Sequence, residues 1–262
     1  NLFFDGITWT EEFHQEYFVN NEIQYYSSGN ANINSNSELV LKIQRIGDRF
    51  KSSRLNSRFS NISLNSGQKL SVEFEAKLPR PENSQNNLVN NTPLWPALWI
   101  MGKEVFDDSL GWPYCGELDL MEWSPTRPGS NTSTFSYAYH WNNWDYYDSG
   151  SHQDYDSFNW ETSQPLWNSY NKWRLDIYRY DEVGYTNKIE FFFNDQLIRT
   201  LEQDENEKNQ EFWWPTTQRK GPVDPNNPDR QKFNPASTKE YVLIMNIAMG
   251  GWYSGTNTVP SN

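Results

Sequence analysis

The chain has 262 residues, of which 35% are hydrophobic and 21% charged: enough apolar content for one packed core, and too much for disorder by composition. Its formal charge of −12 works against nucleic acid, which is held by Lys and Arg on phosphates, and against sulfated polymers for the same Coulombic reason. No stretch reaches the roughly 18 consecutive apolar residues a membrane-spanning helix needs, so neither a nucleic-acid nor a membrane partner is expected.

A single cysteine, Cys115, rules out an intrachain disulfide and a thiolate zinc site, and His14, His140 and His152 lack metal-ligand spacing. More informative is the 16% aromatic content, with 13 Trp. Indoles are hard to bury completely and their N–H wants a partner, so part of this surplus should line a surface. The flat apolar face of a sugar ring is one client for such a surface, and a protein interface is another. The chain opens at Asn1 without a leader, as a mature secreted product would, and sequons at Asn61, Asn90 and Asn131 agree with that. A monomer is expected.

In chain order, the first readable strand is Leu39–Ile43. The clearest is Leu70–Leu78, where Leu70, Val72, Phe74, Ala76 and Leu78 alternate with polar residues, a period of two that buries one face. Trp173–Tyr180 and Ile189–Phe193 follow, with Asp195 and Gln196 placed to make a hairpin turn. Tyr241–Met249 is apolar on both faces apart from Asn246, as a central strand would be. No long helix is readable. Long stretches at Pro81–Leu94, Ser124–Thr134, Trp141–Asn171 and Glu202–Thr238 read as loops, and several hold Trp: Trp141, Trp144, Trp160, Trp167, Trp213 and Trp214. Many short strands joined by turn residues predict an all-β sandwich or jelly roll, a single domain over residues 1–262.

The segment that bears chemistry is Glu117-Leu-Asp119-Leu-Met-Glu122-Trp123. On a regular strand Glu117 and Asp119 share a face, while Glu122 falls on the other with Leu118 and Leu120. An unpaired carboxylate in that apolar layer costs several kcal/mol. One extra residue, a β-bulge near Leu120–Met121, turns Met121 inward and brings Glu122 onto the face of the other two acids. Glu117 and Glu122 are then four strand steps apart, roughly 13 Å between Cα atoms at about 3.3 Å per residue. Side chains leaning together leave a gap of about 5 Å, the separation of a retaining glycosidase rather than an inverting one. Three acids this close cannot all remain ionised, so at least one must hold its proton toward neutrality, as a general acid requires. The competing reading is a solvated acidic edge strand.

These residues, and others around them, resemble glycoside hydrolase family 16, and within it the laminarinase-like branch of endo-β-1,3-glucanases. Glu117-Leu-Asp119-Leu-Met-Glu122 matches the family's Glu-x-Asp-x-x-Glu signature with its extra residue, and Trp112-Pro113-Tyr-Cys-Gly116 is similar to the "WP-x-x-G" that precedes it. Leu94-Trp95-Pro96-Ala97-Leu98-Trp99, Phe74-Glu75-Ala76-Lys77, Ser53-Arg54-Leu55 and Leu243-Ile-Met-Asn246-Ile-Ala-Met-Gly250-Gly251 resemble further family blocks, in family order from Ile7 to Trp252. The resemblance implies a curved β-sandwich jelly roll with a concave substrate cleft. It implies Glu117 as nucleophile, Asp119 as its helper and Glu122 as acid/base. It also implies cleft positions for Trp95, Trp99, Glu75, Arg54, His140, Asn246, Trp123 and Trp252. For Trp99, core packing is the alternative; for His140 and Asn246, a structural hydrogen bond is.

The implied activity is retaining endo-hydrolysis of β-1,3-glucan, with mixed β-1,3/1,4-glucan as a further substrate. Cleavage of a galactan such as agar or carrageenan, or glucan binding without catalysis, are the alternatives, the last set against the presence of all three acids. No cofactor is required by this chemistry. A structural calcium is allowed for, although the later strand that often supplies its acidic ligand in the family has no counterpart before Asn262.

Overall fold

The structure is a computed structural model and describes residues 1–13, 19–80, 91–107, 112, 115–142, 153–179, 188–202 and 240–257. Its strands are β1 (Leu2–Phe4), β2 (Ile7–Glu11), β3 (Gln24–Tyr26), β4 (Ala31–Ile33), β5 (Leu39–Leu41), β6 (Gln44–Ile46), β7 (Arg49–Ser52), β8 (Arg54–Asn56), β9 (Lys69–Ala76), β10 (Leu94–Gly102), β11 (Glu117–Glu122), β12 (Thr134–Asn142), β13 (Gln153–Glu161), β14 (Asn171–Tyr178), β15 (Lys188–Phe193), β16 (Gln196–Glu202) and β17 (Tyr241–Met249). Helix is confined, among the described residues, to one α-turn, α1 (Gly251–Ser254), and two 3-10 turns. No described helix is long and apolar enough to cross a membrane.

Two antiparallel sheets form the sandwich. The larger has the order β1-β2-β8-β17-β10-β11-β12-β13, the smaller β16-β15-β14-β9. Alternation decides what lies between them. From the smaller sheet come Val72 and Phe74 of β9, Trp173, Leu175 and Ile177 of β14, and Phe191 and Phe193 of β15. From the larger come Leu98, Ile100, Leu118, Phe135, Tyr137, Tyr139, Leu243 and Ile247. Aromatic pairs join the layers: Phe135 meets Trp173 edge-on at 5.9 Å and Tyr137 lies 4.8 Å from Phe191, measured between ring centroids. Part of the aromatic surplus therefore packs the core rather than lining a surface.

The expected strands are present with shifted ends. Leu70–Leu78 is β9, ending at Ala76 although Leu78 stays buried. Leu39–Ile43 is cut to Leu39–Leu41, the expected strand Trp173–Tyr180 lies on β14 as far as Tyr178, with Tyr180 outside the described residues, and Tyr241–Met249 is β17 to the residue. As expected for a strand apolar on both faces, β17 is central, between β8 and β10. The hairpin turn falls one residue earlier than expected. Asn194 and Asp195, at φ 46° and 63°, make it, and Gln196 already opens β16. Two left-handed residues fit a two-residue hairpin, and Asn and Asp tolerate that region better than Gln.

One expected loop, Trp141–Asn171, contains β13 instead. Phe158 and Trp160 alternate there with polar residues and pack against the core, a period-two signal hidden by the polar residues around it. The expected loops at 81–94 and 202–238 lie largely outside the described residues, and Trp144, Trp213 and Trp214 lie outside them.

Candidate active site

β11 starts after Gly116, whose φ of 73° is a turn that a side chain would strain. Against β10, Ala97 pairs with Glu122, Leu98 with Met121 and Trp99 with Asp119, so Leu120 has no partner of its own. Against β12, Asp119 pairs with Ala138 and Glu122 with Ser136, so Leu120 and Met121 together face the single residue Tyr137. Both ladders place the extra residue at Leu120–Met121, where the alternation required it. Leu118, Leu120 and Met121 are buried in the core, while Glu117 and Glu122 are only partly buried on the opposite face. Glu117 and Glu122 pair with Met101 and Ala97, four residues apart on β10, which keeps their Cα separation at about 13 Å.

Each glutamate is held by an indole. Trp112 Nε1 donates to Glu117 Oε2 at 2.9 Å, and Trp95 Nε1 donates to Glu122 Oε1 at 2.9 Å. His140, the cross-strand partner of Glu117, places Nε2 at 3.1 Å from Asp119 Oδ2 and 3.6 Å from Glu117 Oε1. Burial and the charge of Asp119 push the Glu117 carboxyl up to about 7, against the pull of His140 and the Trp112 hydrogen bond. Burial and Asp119 push Glu122 further, to about 8. For His140, burial alone would favour the neutral ring, but the Asp119 hydrogen bond and the three carboxylates outweigh it and raise the imidazole to about 9. At neutral pH the site therefore holds an imidazolium among the acids. Glu117 is the readier of the two glutamates to ionise.

The face continues across the sheet, because directly paired residues of neighbouring strands point the same way. On β10 and β17 it carries Trp95, Trp99, Asn246 and Ala248; on β8 it carries Arg54. Arg54 is ion-paired with Glu12 at 2.9 Å and lies 4.9 Å over the Trp99 ring. Trp99 Nε1 donates to Asn246 Oδ1 at 2.8 Å, and Asn246 Nδ2 donates to the Tyr26 hydroxyl at 3.1 Å. Trp95 stacks on Tyr253 at 4.9 Å.

No protein-family model matches the chain. Over 246 residues, 91% of its length, it is 26% identical to glucan endo-1,3-beta-glucosidase A1 of Niallia circulans, of which it spans 30%. A glycoside hydrolase family 16 endo-glucanase from Bacteroides ovatus superposes on 98% of the chain and 87% of its own, with a TM-score of 0.65 at 21% identity. The laminarinase from Flavobacterium sp. UMI-01 superposes on 96% and 85%, with a TM-score of 0.62 at 19% identity. The laminarinase catalytic domain from Thermotoga maritima superposes on 100% and 88%, with a TM-score of 0.61 at 19% identity. The chain has the fold of glycoside hydrolase family 16. The laminarinase-like resemblance read from its motifs holds.

Within this family 16 fold the expected site residues separate into two groups. Glu117, Asp119, Glu122, Trp95, Trp99, Arg54, His140 and Asn246 come together on one face. Trp252 stands 73% exposed on α1, which packs at the end of β10 where Trp95 lies. Two expectations fail. Trp123 is fully buried, edge-on to Trp167 at 5.8 Å. The bulge that turns Glu122 outward necessarily turns the next residue inward. Glu75 lies on β9 in the other sheet, on its exposed outer side opposite Lys172, because the alternation that buries Phe74 points Glu75 away.

Asn246 and Trp99 satisfy one another rather than waiting on a ligand, although the Trp99 ring remains only partly buried. Trp112 and Tyr253 escaped the sequence reading as site residues. Trp112 sat in a recognised motif, five residues before the acid it holds, and that proximity was the available signal. The Glu117, Asp119 and His140 donor atoms lie within 4.8 Å of one another. Two carboxylates and an imidazolium do not suit a structural calcium, which takes six to eight oxygens.

Proposed function

We propose that the protein is a retaining endo-glycosidase that hydrolyses β-1,3-glucan. The observation that carries this is the pair of glutamates on one face of β11, brought together by the bulge at Leu120 and differing in proton affinity. Between about 7 and about 8, Glu117 is a carboxylate while Glu122 keeps its proton. Glu117 attacks the anomeric carbon and Glu122 protonates the departing glycosidic oxygen, giving a covalent glycosyl-enzyme. Glu122, now a carboxylate, takes a proton from water as it attacks the same carbon, and Glu117 leaves; two inversions give net retention. Asp119 fixes the His140 imidazolium, whose charge favours the ionised nucleophile. Trp95 and Trp99 offer indole surface to the sugar rings beside the scissile bond.

The β-1,3-glucan assignment is supported by the Niallia circulans relative and by the laminarinases that share the fold. A Bacteroides ovatus mixed linkage glucan protein of family 16, solved with a product and matching with a TM-score of 0.63, supports mixed-linkage glucan as a further substrate. No cofactor enters the reaction, and a polymeric substrate, too large to cross a membrane, supports an extracellular site of action. Incubation with laminarin, lichenan and agarose tests the substrate: sugar should be released from laminarin, and release from agarose alone overturns the glucan reading. Proton NMR of the first product should show the β-anomer. Glu117→Gln should lower kcat on laminarin by about 10³-fold or more, the scale of losing a covalent nucleophile.

A further inference from the structure

The cleft face differs on the two sides of β11. Toward β10 and β17 stand the indoles of Trp95 and Trp99 and the guanidinium of Arg54. Toward β12 and β13, level with Glu122 and Asp119, the ladder carries small or polar residues: Ser136 and Ala138, then Asn159 and Ser157, with His140 further along beside Glu117. Beside Glu122, a guanidinium reaches this flank. Arg127, from the turn between β11 and β12, places Nη1 within hydrogen-bond reach of Ser136 Oγ, 3.0 Å from the Tyr253 hydroxyl and 3.4 Å from Asn159 Oδ1. Its guanidinium lies 4.3 Å over the Tyr253 ring.

Position gives this group its meaning. Ser136 is the cross-strand partner of Glu122, and Asn159 is the partner of Ser136, so the cluster occupies the first and second strands beyond the acid. The Tyr253 hydroxyl donates to the Glu122 carbonyl oxygen at 2.8 Å, tying the same cluster to the backbone of the acid. Among the described residues, every hydrogen bond of the guanidinium runs through Nη1, which leaves the donors of Nε and Nη2 for a ligand. Asn159 is exposed and uses only its carbonyl oxygen, so its amide donors remain as well.

We infer that Arg127 and Asn159 bind the hydroxyl groups of the leaving sugar, the ring whose glycosidic oxygen receives the proton of Glu122. This rests on the glycosidase reading above and assigns direction to its cleft. A retaining enzyme must keep the glycone while the covalent intermediate lasts and must release the other half of the chain. Broad indole surfaces suit retention, and a few hydrogen bonds to neutral hydroxyls, with water able to replace the sugar, suit release. The emptied flank is also where the attacking water enters.

The test compares two substrates with the same glycone: a β-1,3-gluco-oligosaccharide, whose leaving group is a sugar, and its dinitrophenyl glycoside, whose leaving group has no hydroxyls to bind. Arg127→Met keeps the apolar stem against Tyr253, and Asn159→Ala changes an exposed side chain, so both variants should fold. Arg127→Met should lower kcat/KM on the oligosaccharide by about ten- to a hundredfold, as expected for lost hydrogen bonds from a charged donor. Asn159→Ala should lower it by about three- to tenfold. For each variant the loss on the aryl glycoside should be several-fold smaller. Equal losses on both substrates would place Arg127 on the glycone side or in a bracing role, and unchanged oligosaccharide kinetics would remove it from the cleft; either result overturns the assignment. Wild-type protein inactive on both substrates would overturn the glycosidase reading instead.

Discussion

Glu117 and Glu122 are the same residue type on the same strand, and their surroundings separate them. His140 and Trp112 stand beside the first, and the second feels burial with less relief, so their carboxyls rise to about 7 and about 8. The rate should follow: kcat/KM rises as Glu117 loses its proton near 7 and falls as Glu122 loses its own near 8, a narrow bell. His140 pulls both values down, so His140→Asn should move both limbs to higher pH, read from initial rates across pH 5 to 10 at about half-unit steps. The same shifts act on stability. A carboxyl raised in the folded state stabilises the fold below its unfolded value of 4.5 and loses that contribution as pH climbs through about 8. Glu122→Gln has no charge to bury, so its Tm should gain on wild type progressively from about pH 4.5 to about pH 8, then stay level. The gain is about 2–4 °C for each kcal/mol relieved in a domain of this size. A variant no more stable than wild type at pH 9 contradicts the raised carboxyl.

At the scale of the element, the bulge in β11 is what turns three acids into a site. It leaves Leu118 in the core with Leu120 and Met121, yet returns Glu122 to the face of Asp119. Removing Leu120 would restore strict alternation and force a choice between burying Glu122 and shifting the whole strand by one residue. Either outcome ends catalysis and destabilises by several kcal/mol. Laminarin hydrolysis near the wild-type rate in a Leu120 deletion, with an unchanged melt, is the result this account cannot accommodate. The sequence made the bulge readable because its alternation fails at a single point, where a carboxylate would otherwise fall among leucines. The same pattern was visible but unread in β13, whose Phe158 and Trp160 lie amid polar neighbours.

Across the whole molecule, the division of the aromatics matters most. Trp95, Trp99 and Trp112 serve the cleft side, while Trp123, Trp167 and Trp173 are buried in the core. Trp123→Leu should therefore act on stability alone. A melt lowered by the equivalent of about 2–4 kcal/mol, with KM for laminarin within about twofold of wild type, is expected. A large rise in KM with an unchanged melt would return Trp123 to the cleft. Near-neighbours in the chain, Glu122 and Trp123, thus divide between chemistry and packing because successive residues on a strand face opposite ways.

The sequence by itself determined the all-β class, the acid-bearing strand, its bulge and the resemblance to family 16, since alternation and a short spaced motif are local properties of the chain. It could not decide which sheet Glu75 joins, or that Asn246 would spend its amide on Trp99 and Tyr26, 147 and 220 residues away in the chain. It could not bring Arg127 to Asn159, or Tyr253 to the carbonyl of Glu122, across separations of 32 and 131 residues. Those contacts exist only once strands distant in the chain lie side by side in register, and on them the proposed direction of the cleft depends.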